Sequence, residues 1–68
     1  MTALMNAINN ENVSLVGQLI RQGIDVNMLD ANGDAPLVMA AYKGNPDIVR
    51  MLLQAGADVK AVDPAMKA

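Results

Sequence analysis

ANGDAPLVMAAYKGNPDIVRMLLQAGADVKAVD, residues 31–63, decides how this chain is read. It opens in a turn, Asp30-Ala31-Asn32-Gly33-Asp34, built from residues that bond their own backbone or accept positive φ. Pro36 follows at a position that suits the start of a helix, where its missing N–H would have no partner anyway. The helix runs through Leu37, Ala40 and Ala41, whose small side chains let a neighbouring helix approach closely, and Gly44 stops it. Asn45-Pro46-Asp47 then supplies a cap, a proline and an acid at the positive end of a second helix. Ile48, Val49, Met51, Leu52 and Leu53 are expected to form its buried stripe. Gly56 ends that helix, and residues 57–62 are expected to leave it extended.

Working outward, the same pattern recurs at a shift of 33 residues. Leu4 meets Leu37, Ala7 meets Ala40, Asn12 meets Asn45, Val16 meets Val49 and Leu19 meets Leu52. Gly23 meets Gly56, Asp25 meets Asp58 and Asp30 meets Asp63, so the matches spread over a full period and indicate a structural repeat. The first copy is expected to hold a helix over 2–10, capped by Thr2, with Leu4, Ala7 and Ile8 on one apolar face. A second helix, capped by Asn12 and running to about Gln22, carries Leu15, Val16, Leu19 and Ile20. Residues 24–29 form an extended exit. Asp63 and Pro64 begin a third copy that does not finish, and Met66 stands where its turn would have glycine.

Composition narrows the possible functions. The chain has 68 residues, room for one small domain, with no cysteine and no histidine, which removes disulfides and the common zinc sites. Net charge is −2, and the five cations Arg21, Lys43, Arg50, Lys60 and Lys67 are scattered singly, unlike the basic face of a nucleic-acid binder. Tyr42 is the one aromatic residue, so bases would have almost nothing to stack on. The apolar run near residues 35–42 is too short to span a bilayer, and no secretory signal is recognisable. A cytoplasmic location is the expectation. At 53% apolar residues, a domain this small is expected to need some of its surface covered from outside.

At this point the residues resemble the ankyrin repeat. The period agrees, and so do Gly33, Ala35-Pro36-Leu37, Ala40-Ala41, Gly44-Asn45, Ile48-Val49, Leu52-Leu53 and Gly56-Ala57-Asp58-Val59. The resemblance implies an all-α fold, a solenoid of helix–turn–helix units joined by projecting hairpin loops. It divides one domain, residues 1–68, into repeat one (about 1–30), repeat two (about 31–63) and a truncated third from 64. The family's T-P-L-H motif is Thr2-Ala3-Leu4-Met5 in the first copy and Ala35-Pro36-Leu37-Val38 in the second. The second copy lacks both threonine and histidine, which normally bond each other, so neither is left buried without its partner. Glu11 replaces the family's glycine that Gly44 keeps, at a cost of about 1 kcal/mol if its backbone is left-handed.

The resemblance also implies function: binding of a protein partner, with no catalysis and no cofactor. Partner contacts carried over by position are Ala31, Asn32 and Asp34 on the hairpin tip, then Tyr42 and Lys43, with Asn9 and Asn10 one repeat earlier. Tyr42 is the strongest of these, since tyrosine gives large contact area and a polar handle at low entropic cost. The competing reading of Tyr42 is that it covers a neighbouring helix. Leu29 and Val62, at matching positions, are expected to pack hairpin to hairpin or to touch the partner.

Other chemistry is poorly supported. Of the acids, Asp25 and Asp58, and Asp30 and Asp63, recur at the repeat period, which points to turns and caps rather than an acid–base pair. The Asp30–Asp34 segment is no calcium loop, because its glycine is misplaced and Ala41 stands where a bidentate glutamate belongs. Ser14 has no histidine to activate it, and no glycine-rich phosphate loop is present. The methionines fall mostly on apolar faces and read as adaptable packing. Neither end resembles a polar cap, and stacked repeats normally need at least three units. Two alternatives to a binding module therefore stand: a self-assembling structural fragment that forms homo-oligomers through exposed end repeats, and a non-catalytic appendage of a larger enzyme.

Overall fold

Four helices form because the chain punctuates them at both ends. The computed structural model describes residues 2–62, with backbone alone at 61 and 62. Helix α1 is Ala3–Asn9, α2 is Val13–Arg21, α3 is Pro36–Lys43 and α4 is Pro46–Gln54. Thr2, Asn12 and Asn45 cap α1, α2 and α4 by accepting from Met5, Leu15 and Ile48 amides at 3.2 Å each. Helix α3 has no side-chain cap and relies on Pro36 instead. The third copy expected from residue 64, with Asp63 and Met66, lies outside the described residues.

All four helices close in the same way. An amide just past each helix reaches back to a carbonyl five residues earlier: Asn12 to Ala7 (2.8 Å), Ile24 to Leu19 (3.2 Å), Asn45 to Ala40 (3.4 Å) and Ala57 to Leu52 (2.9 Å). This closure needs a left-handed residue. Gly44 supplies it after α3 at φ +69°, and Glu11 is forced into it after α1 at φ +54°. The Glu11 carboxylate recovers little, accepting from Asn45 Nδ2 at 3.4 Å on the exposed surface.

The helices pack as two antiparallel pairs, α1 with α2 and α3 with α4, and the pairs stack α1 on α3 and α2 on α4. The core lies at this junction: Leu4, Ala7, Ile8 and Val16 from the first pair meet Leu37, Ala40, Ile48 and Leu52 from the second. Met5, in place of the family's histidine, is fully buried, and among the described residues no buried polar side chain lacks a hydrogen bond.

Two expectations about the buried stripes are corrected. Leu15 and Leu53 are 36% and 41% exposed. The reason is positional. Ile48, the period-mate of Leu15, is sealed against the first pair, whereas the described residues place no pair opposite Leu15. Leu53 likewise has no pair opposite it among the described residues. A third correction concerns the chain after α4: Val59–Val62 is a 3-10 turn that packs near α3, where an extended exit was expected.

The hairpin regions are tied by an asparagine. Asn27 Nδ2 donates to the Gly56 carbonyl at 3.3 Å, and its Oδ1 accepts from the Asp58 amide at 2.8 Å, so one side chain holds the backbone one repeat later. Asp25 and Asp58 make matching local turns, accepting from the Asn27 and Lys60 amides at 2.9 Å.

Replacing Glu11 by glycine removes the left-handed penalty, less the extra chain entropy that glycine loses. The expected gain is roughly 0.5–1 kcal/mol. Thermal denaturation of Glu11→Gly should show a midpoint raised by a few degrees; a lowered midpoint would count against strain at this position.

Candidate protein-binding groove

The hairpin between the repeats is shaped by one carboxylate. Asp30 Oδ1 accepts from the Asn32 and Asp34 amides, both at 2.9 Å. The backbone closes the same turn: the Gly33 amide donates to the Asp30 carbonyl and the Asp30 amide to the Asp34 carbonyl, again at 2.9 Å. Ala31, Asn32 and Asp34 are exposed at the tip as a result. Gly33, at φ +81°, provides the left-handed corner. This oxygen is committed to amides, which accounts for the segment's loop chemistry without a cation.

Behind the tip, α3 presents its outer face. Tyr42 is 93% exposed and covers no neighbouring helix among the described residues. It borders a groove of about 430 Å³ lined by Asn9, Asp34, Val38, Met39, Tyr42 and Lys43. The groove thus draws on α1, the hairpin and α3. Val38 and Met39 are half-buried and form its floor, one turn before Tyr42 on the same helix side. Its chemistry is an apolar floor with one carboxylate, one ammonium, an amide and a phenol around it. Such a mixture suits a polypeptide surface better than a small charged substrate. Among the described residues, no group of three or more acidic, histidine or cysteine side chains is placed to hold a metal ion.

Of the residues expected from sequence, Asn9, Asp34, Tyr42 and Lys43 come together in the groove. Ala31 and Asn32 stand on the tip, and Asn10 lies in the turn after α1; all three are exposed but do not line it. Val38 and Met39 line the groove and were not among the residues expected from sequence. Their spacing to Tyr42, at i+4 and i+3, was the available signal, but their apolar character reads equally well as core. Met39 serves both roles, since it also packs against the core. Leu29 is 58% exposed and is not sealed between hairpins.

Comparison with known proteins places this geometry. The family model described as ankyrin repeats (3 copies) matches residues 1–63. Protein phosphatase 1 regulatory subunit 27 of Mus musculus is 36% identical over 63 residues, which covers 93% of this chain and 41% of that protein. Mitochondrial disaggregase of Bos taurus is 43% identical over 56 residues, covering 82% of this chain and 8% of that protein. The ankyrin repeat domain of Bcl-3 superposes with a TM-score of 0.83 at 37% identity, over 90% of this chain and 27% of that one. The chain therefore spans less than half the length of these curated relatives.

Removing the Asp30 carboxylate should loosen the tip without unfolding the helices. Asp30→Ala is expected to cost about 1 kcal/mol, as for loss of a helix cap, and to speed amide exchange at Asn32 and Asp34. Unchanged exchange at those two amides would show that the tip is held by its backbone bonds alone.

Proposed function

The chain belongs to the ankyrin-repeat family, whose members generally act as protein-interaction modules, and on that premise we propose that it binds a protein partner through its hairpin tip and the outer face of α3. The observation that carries the reading is Tyr42. A lone aromatic side chain, 93% exposed at the rim of a partly apolar groove, contributes almost no packing among the described residues. Tyrosine in that setting is a typical anchor, because it covers large area with few rotors to immobilise. Lys43 and Asp34 flank it with opposite charges and would set orientation more than affinity. The two exposed amides Asn9 and Asn10 and the tip residues Ala31 and Asn32 extend the surface on either side.

A protein is favoured over nucleic acid because the net charge is −2 and the cations do not cluster. The chain acts without catalysis in this reading, as one domain of two repeats (about 1–30 and 31–63) with a third beginning at 64. The likeness to a short segment of a mitochondrial disaggregase supports a second reading, in which such repeats are an appendage of a larger catalytic protein. The same groove would then recruit that protein's target.

The test is selection of binders from a displayed protein library, followed by affinity measurement on variants. Tyr42→Ala is expected to weaken selected complexes about thirtyfold, the equivalent of a 2 kcal/mol anchor, with an unchanged far-UV spectrum. Met39→Ala should weaken them less. Binders indifferent to Tyr42, Lys43 and Met39 would place recognition elsewhere on the molecule.

A further inference from the structure

The outer faces of the two described repeats match the two halves of the interface that the repeats make with each other. Repeat one offers repeat two a face made of Ile8, Val13, Val16 and Ile20. Ile8 and Val16 are fully buried there, and Val13 and Ile20 pack on the same core. One period later the same positions are Ala41, Pro46, Val49 and Leu53. Among the described residues, these line an open apolar slot of about 630 Å³ on the far side of α3 and α4. At the other end, repeat two receives repeat one with Ile48 and Leu52, both fully buried. Their period-mates on repeat one are Leu15, 36% exposed, and Leu19, half-buried. The slot therefore continues the face that repeat one buries, and the Leu15 side continues the face that repeat two buries against it.

We propose that the C-terminal face of one chain stacks on the N-terminal face of a second copy, head to tail, through the same displacement that relates the two repeats within a chain. Charge supports this occupant and this register. Inside the chain, Asn27 grips the Gly56 carbonyl and the Asp58 amide. One period on, Lys60 takes the place of Asn27, while Gly23 and Asp25 of the second copy take the places of Gly56 and Asp58. Lysine cannot accept from an amide as asparagine does. Its ammonium would instead meet the Gly23 carbonyl and the Asp25 carboxylate, an attractive pairing at the rim of the stack. Two different faces meet, so the contact is heterologous and does not close on itself; it extends into a linear array. The observations behind this inference are separate from those behind partner binding, although Tyr42, the period-mate of the groove residue Asn9, would stand at the rim of the stack.

Sedimentation velocity on the 68-residue chain over roughly a hundredfold range of concentration tests it. The expected result is an average mass that climbs steadily and does not plateau at a dimer. Leu53→Asp blocks one face and Leu15→Asp the other, so each variant alone should be monomeric. Mixed, they should form a one-to-one heterodimer and nothing larger, because the intact faces are complementary. A wild-type chain that stays monomeric throughout overturns the proposal and assigns the slot to another occupant, such as a further repeat or a different protein. Leu15→Asp that still dimerises alone also overturns it, since two C-terminal faces would then be meeting each other. Should either aspartate variant lose its helical spectrum, Lys60→Glu decides instead. Head-to-tail stacking expects it to associate several-fold more weakly than wild type at low salt, with the difference shrinking at high salt. Unchanged association in Lys60→Glu rules out the proposed register.

Discussion

Everything in this structure depends on one constraint: a helix pair of this size can bury its apolar face only on another pair. Ile8 and Val16 from the first repeat and Ile48 and Leu52 from the second are sealed because they face each other across the junction. Neither pair alone encloses a core. Stability therefore resides mainly in the contact between repeats, which is the defining energetic feature of stacked architectures. The same constraint explains the exposed leucines. Leu15 and Leu53 are chemically suited to burial, and they remain accessible because the described residues place no further pair beside them.

The ends of the helices are the second level of control. Each helix closes on a carbonyl five residues before the amide that satisfies it, and the closures fix the angle at which the chain turns back. Three of the four left-handed corners at these closures are glycine, and Glu11 is the exception. Side chains then finish what the backbone begins. Asp30 folds the hairpin over its own amides, while Asn27 joins one repeat to the next through two bonds to main-chain atoms. The two Asn27 bonds cross from one repeat to the next, so they add a polar link beside the apolar contact of the core.

That rigid frame is what makes a binding surface available. The hairpin tip and the outer face of α3 meet at a groove whose floor is partly apolar and whose rim carries Tyr42, Lys43 and Asp34. The core is formed without Tyr42, so the residue can be given over to recognition. The end faces present a different kind of surface, apolar and shaped by the repeat period.

The sequence by itself determined the helices, their caps and stops and the period that relates them, because these depend on local rules: Asn12 and Asn45 as caps, Pro36 and Pro46 as first residues, glycines at left-handed corners. It also marked Tyr42, Lys43, Asp34 and Asn9 as candidates, by their place in the repeat. Tertiary structure decided what local pattern cannot, namely which apolar residues face a neighbour. Leu15 and Ile48 occupy the same position of the repeat and read alike, yet one is 36% exposed and the other is fully buried. In the same way, only the packing of α1 against α3 brought Val38 and Met39 under Asn9 and made a groove of them. Periodicity assigns a residue to a helix face, whereas burial depends on what stands opposite that face.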